Sequence, residues 1–106
     1  MEESHFCVYI MTDEQHSMLY TGRTSNLKKR VAAHRSGHGG ITTRRHGLNK
    51  LVYYESVEDA SMAKQREKQL KHSSKKRRLS LIEALNPEWL DLYDRLKWKT
   101  QSTQST

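Results

Sequence analysis

Cysteine is nearly missing from this 106-residue chain. Cys7 stands alone, which excludes an internal disulfide and a thiolate metal cage, and no disulfide-linked partner is expected. No apolar run approaches the length that spans a bilayer, so no membrane partner is expected either. The opening MEESHF is acidic and polar, without the basic-then-apolar order of a secretory signal. A soluble, cytoplasmic protein is the expectation. Acidic residues are in deficit, 12 against 19 Lys and Arg, which leaves a net charge of +7. That excess suits a polyanionic partner, nucleic acid before an acidic membrane surface, although charge alone also fits a basic protein without a specific partner.

What is present makes one lean domain. Hydrophobic residues supply 34% of the chain and charged residues 29%, so a single modest core lies under a heavily charged surface. The short apolar runs at 5–11, 18–22 and 50–57 are rich in β-branched and aromatic residues and read as strands. The first two form a hairpin across a polar connector, and Gly22 is expected to end the second. Helices are expected near 26–36, capped by Ser25 or Asn26, near 58–72, and near 74–85, capped by Ser74. Asn86-Pro87 breaks the chain, and Pro87 suits the first residue of a short last helix through Trp89, Leu92 and Tyr93. Residues 37–49 hold four of the five glycines together with Arg44 and Arg45, and they read as a functional loop. Residues 1–96 are read as the domain and 97–106 as a disordered tail. The order β-β-α-β-α-α has too few strands to wrap a core alone. It predicts an α+β fold, a three-stranded, mainly antiparallel sheet flanked by helices.

Two helices carry candidate chemistry. On the helix at 58–72, Ala60, Ala63, Glu67 and Leu70 share one stripe, which would aim the Glu67 carboxylate at the core or its edge. A carboxylate there needs a cation, either a metal or a neighbouring Arg or Lys. On the helix at 26–36, Arg30 and His34 lie four apart beside the apolar Leu27 and Val31. Arg30 offers a planar fork suited to phosphate, while a lone histidine at His34 also fits a structural role.

These residues resemble the GIY-YIG endonuclease family, in its small stand-alone bacterial form. Tyr9 in CVY and Tyr20 in YTG, eleven positions apart, are similar to the paired tyrosine motifs of that family. Arg30 follows Gly22 by eight positions and His34 comes four later, as in the family's helix. Glu67 in REKQLK resembles the metal-binding glutamate, and Asn86 in NPEW the family's late asparagine. The likeness runs from about residue 5 to 95; Cys7 replaces the first motif glycine, and Val8 and Thr21 replace the two isoleucines.

The resemblance implies a metal-dependent endonuclease acting on nucleic acid, DNA rather than RNA, as a monomer or weak dimer. It implies one divalent cation, Mg²⁺ or Mn²⁺, on Glu67. Arg30 would stabilise charge at phosphorus, and Tyr9 or Tyr20 would be the general base with a phenol pKa lowered by Arg30. His34 would orient water or touch phosphate. Arg23, Arg44, Arg45 and Asn86 are the expected substrate contacts. A lone domain of this size has little area for reading bases, so recognition of shape is expected over recognition of sequence. Three other readings remain beside it. One is a binder that does not cut; another is a partner-binding protein using Trp89, Tyr93 and Trp98, residues that also suit packing onto the sheet. The third is a zinc site from Cys7, His34, His38 and His46, whose spacing matches no known ligand pattern.

Overall fold

A computed structural model describes residues 6–37 and 47–96. Strands β1 (Phe6–Thr12) and β2 (Leu19–Thr24) lead into helix α1 (Leu27–Arg35). Strand β3 (Lys50–Val57), helices α2 (Ala60–His72) and α3 (Lys75–Leu85) and a 3-10 turn (Leu92–Leu96) follow. The sheet has the order β2-β1-β3, with both pairings antiparallel. The α+β architecture is therefore the expected one. His38, Arg44, Arg45, His46 and the tail with Trp98 lie outside the described residues, as do residues 1–5.

The central position of β1 explains its composition. Covered on both faces, it reads as a continuous apolar run, and Cys7 through Met11 are all buried. Alternation splits that run between two cores. Cys7, Tyr9 and Met11 face Leu27 and Val31 of α1 and the closing Leu92 and Leu96. Val8 and Ile10 face Ala63 and Leu70 of α2 and Ile82 of α3. Helix α2 packs on β2 and β1, whereas α3 packs on β3 at the opposite edge.

Polar residues fix the helix starts. Asn26, Asp59 and Ser74 accept from the backbone N–H of Lys29, Met62 and Arg77 at 3.1, 2.8 and 3.0 Å. The rotation of α2 is set by Arg66, which grips Glu55 of β3 with Nε and a terminal nitrogen, at 3.0 and 3.1 Å. The Glu55 carboxylate also accepts from Tyr53, whose pKa is pushed up to about 12, chiefly by burial and then by that bond. Glu67, next along α2, is thereby turned toward β2.

Two expectations need correction. Gly22 does not end β2: it lies inside the strand opposite Tyr9, and the strand continues to Thr24. No helix begins at Pro87 either, because the chain is redirected by Asn86. Its side chain donates to Val52 O and Leu90 O at 3.1 and 2.9 Å and accepts from Leu90 N at 3.0 Å. Trp89 then takes a left-handed φ of 54° and stacks on His16, itself at φ 58°, with ring centroids 4.4 Å apart. The turn at Leu92–Leu96 forms only after this reversal. Trp89 and Tyr93 are thus packing residues, the latter under the Arg35 guanidinium at 4.5 Å.

Candidate active site at the sheet edge

The site forms where β2, an edge strand, is flanked by α1 on one face and α2 on the other. Register dictates which side chains meet. Tyr9 lies opposite Gly22 and Met11 opposite Tyr20, so Tyr9, Tyr20 and the missing side chain of Gly22 share the α1 face. The gap is used. A Cβ on Gly22 would fall 2.7 Å from the Tyr9 hydroxyl oxygen and 3.1 Å from the Tyr20 ring.

Two groups converge on that hydroxyl. It lies 3.1 Å from His34 Nε2 and is also hydrogen-bonded by Arg30, which reaches Tyr20 as well. The rings of Tyr9, Tyr20 and His34 lie within 5.5 to 6.3 Å of one another, tilted or edge-on. Arg30 can only donate, so the Tyr9 oxygen accepts there, and the direction of its bond with His34 Nε2 follows the imidazole tautomer. His34 Nδ1 is a buried atom with no partner among the described residues. Burial, and after it the Arg30 charge, lowers the His34 pKa, which favours the neutral imidazole.

The electrostatics revise two expectations. Burial raises the Tyr9 pKa and outweighs the lowering effect of its bond to Arg30. Arg30 rises in turn, chiefly through the same bond. His34 is only 3% exposed and is committed to Tyr9, so it faces neither water nor phosphate.

Glu67 comes from the other face. Arg23, opposite Val8, projects toward α2, and its Nε meets Glu67 Oε1 at 3.0 Å. Lys71 Nζ meets Oε2 at 3.1 Å. Glu67 is not turned into the core: 17% of its side chain is exposed, and its field helps to raise Tyr9. It therefore stands near the tyrosines across the edge strand. The sequence reading overlooked Lys71, although i,i+4 spacing from Glu67 was a sufficient signal. Asn86 is not with this group. Buried and bonded to backbone on both amide atoms, it has no group left for a phosphate.

Comparison with known proteins gives the same assignment. The GIY-YIG catalytic domain matches residues 5–80. The chain belongs to the GIY-YIG family. UPF0213 protein CPE1444 of Clostridium perfringens is 44% identical over 75 residues, covering 71% of this chain and 80% of that protein. UPF0213 protein plu4503 of Photorhabdus laumondii is 35% identical over 82 residues, covering 77% and 78%. The solution NMR structure of UPF0213 protein BH0048 from Bacillus halodurans aligns with a TM-score of 0.52 at 28% identity, covering 82% of this chain and 92% of that one. The GIY-YIG membership implies a nuclease-type function. Within this GIY-YIG domain the motif replacements are structural. Cys7 is buried in the α1-side core, and Thr21 keeps β-branching on a buried edge position.

A hard divalent cation suits Glu67 chemically, since one partly exposed carboxylate oxygen serves an ion that keeps most of its water. Among the described residues no cluster of three or more His, Cys, Asp or Glu offers an all-protein cage. Both Glu67 oxygens are ion-paired, so a cation there competes with Arg23 and Lys71 for the carboxylate charge. No helix among the described residues is long and apolar enough to cross a membrane.

Proposed function

We propose that the protein is a divalent-metal-dependent endonuclease that hydrolyses phosphodiester bonds in DNA, selected by shape rather than base sequence. The convergence of Tyr9, Tyr20, Arg30 and His34, with Glu67 within electrostatic reach, carries this reading. Tyr20 is half-buried and Tyr9 only 1% exposed, which supports Tyr20 as the group that meets the attacking water. Water attacks phosphorus, Tyr20 takes its proton after giving its own phenolic proton to solvent, and the P–O bond breaks with the leaving oxygen protonated from solvent. Arg30, fixed by both phenols before substrate arrives, neutralises charge developing on the phosphoryl oxygens. Tyr9 and His34 are positioning residues that hold Arg30. Glu67 would hold Mg²⁺ or Mn²⁺, which when bound supplies Lewis-acid stabilisation of a phosphate oxygen. Arg23, Arg44 and Arg45 are the proposed phosphate contacts.

A second reading is favoured by the ion pairs on Glu67: a domain that binds nucleic acid and cuts weakly or not at all. Glu67→Gln separates the two. Its partners Arg23 and Lys71 are 43% and 51% exposed, so losing the charge should change stability by no more than about 1 kcal/mol. Metal-dependent cleavage of a panel of branched, nicked and single-stranded DNAs should fall by ~10²-fold or more. Wild-type cleavage that is absent with Mg²⁺ and with Mn²⁺, despite tight binding, would establish the second reading instead.

A further inference from the structure

We propose that Arg23 makes metal binding and phosphate capture interdependent by exchanging Glu67 for a substrate phosphate in the cavity beside it. The inference rests on the reading of Glu67 as the metal donor. Three observations carry it. Each Glu67 oxygen already has one cationic partner, Arg23 at 3.0 Å and Lys71 at 3.1 Å, so a divalent cation on the carboxylate competes with both for its charge and weakens their hold. The partners differ in what release does. Lys71 sits one helical turn from Glu67 on the same helix and swings into solvent, whereas Arg23 belongs to the edge strand.

Arg23 also lines a cavity of about 220 Å³ with Phe6, Thr24, Ser25, Ala60 and Ala63. Among the described residues of that lining, Arg23 is the only charged one. While it is paired with Glu67, its charge is cancelled and the cavity offers an anion little. A cation on Glu67 frees the guanidinium, and the cavity becomes a cationic subsite for a phosphodiester of the strand being cut. A phosphate on Arg23 conversely frees Oε1 for the cation. Binding linkage requires the two effects to be equal in size, because each ligand relieves the same contact. Self-pairing thus keeps the site from retaining either ligand by itself. Arg23 is a positioning residue for both.

The test uses the full chain carrying Tyr20→Phe, which silences cleavage. Mn²⁺ binding is followed by electron paramagnetic resonance with and without a five-nucleotide oligothymidylate. Arg23→Gln should tighten Mn²⁺ binding in the absence of oligonucleotide by about threefold or more, the scale of a half-exposed ion pair. It should also shrink the factor by which the oligonucleotide tightens Mn²⁺ binding. Lys71→Gln should tighten Mn²⁺ binding alike in both conditions and leave that factor intact. In the unsubstituted Arg23 protein, the Arg23 Nε–H resonance should shift when Mg²⁺ is added. If Arg23→Gln leaves the coupling factor unchanged while Glu67→Gln abolishes Mn²⁺ binding, the exchange is wrong and the metal assignment stands. If Glu67→Gln leaves Mn²⁺ binding intact, the metal assignment fails and the exchange fails with it.

Discussion

At the residue scale, Gly22 is needed for space and not for an unusual backbone. It pairs with Tyr9 as ordinary strand, yet a Cβ there would meet the Tyr9 hydroxyl oxygen at 2.7 Å and the carbon bearing it at 2.8 Å. The phenol cannot swing aside, because Arg30 and His34 hold it. Gly22→Ala should cost about 1–3 kcal/mol through overpacking. Cleavage should fall by up to ~10²-fold as Arg30 is displaced with the phenol. Adding Tyr9→Phe deletes the nearest clashing atom, so chemical denaturation should show the double variant less destabilised than the sum of its parts. Simple additivity would sink the steric account. His34 makes a pH prediction. Its folded-state pKa lies below the ordinary 6.5, through burial first and Arg30 second. Above that value both folded and unfolded chains carry neutral imidazole, and the group contributes nothing. As pH falls below it, the unfolded chain takes up the proton first, so stability declines until the folded pKa is passed. Melting temperatures measured from about pH 8 to about pH 5 should show this decline. His34→Gln should flatten it, and an identical profile would assign the decline to other groups.

At the scale of elements, the connector after α3 separates what the sequence tells from what it hides. Strands and helices were legible because a lean core leaves the apolar positions unmistakable, and the Asn26 and Ser74 caps act on residues three ahead. The strand continuing through Gly22 was not legible, since it depends on the register with β1 and on the size of the Tyr9 ring. The true partner of Glu67 was hidden for the same reason: Arg23 lies 44 residues away in sequence. Asn86 was recognisable as important but not for its actual task, which is to bond Val52 O across 34 residues while closing a turn on Leu90. That task gives a test. Asn86→Ala strands two carbonyls and one N–H where little water reaches, at a cost of about 1–3 kcal/mol for each group left unsatisfied. Thermal unfolding should register a drop of several degrees. Cleavage per folded molecule and the salt dependence of DNA affinity should both stay at wild-type values. A DNA affinity lowered for the folded molecule at every salt concentration would return Asn86 to the phosphate contacts.

At the scale of the molecule, the question is where a chain of net charge +7 lays a polyanion. Two basic stretches of the sequence compete. Lys75 to Arg78 opens α3, which packs on β3, and Lys75 is bonded to Ser17 O at the hairpin end of the sheet. Arg44 and Arg45 lie in the segment that leaves α1 after Gly37 and returns at Gly47. The described ends of that segment belong to the Tyr9 side of the sheet. Gly37 N donates to His34 O at 3.2 Å, and Leu48 is buried with Tyr9, Leu27 and Val31. A strand crossing Arg30 and the tyrosines at the β2 edge runs on the side where both described ends of that segment lie, whereas α3 packs on the opposite edge. Each phosphate contact on a single strand releases counterions worth about 0.7 in the slope of log affinity against log salt, and about 0.9 on a duplex. Arg44→Ala with Arg45→Ala should therefore flatten the slope by roughly 1.4 to 1.8. Lys76→Ala with Arg77→Ala removes the same charge from an exposed helix face and should lower the overall field only, leaving the slope within about 0.5 of wild type. Fluorescence anisotropy with one labelled DNA across a salt series, in chelator so that nothing is cut, measures all three proteins alike. If instead the α3 pair flattens the slope and the Arg44 and Arg45 pair does not, the DNA path runs over the β3 edge, and a site built on β2 could not be where that strand is cleaved.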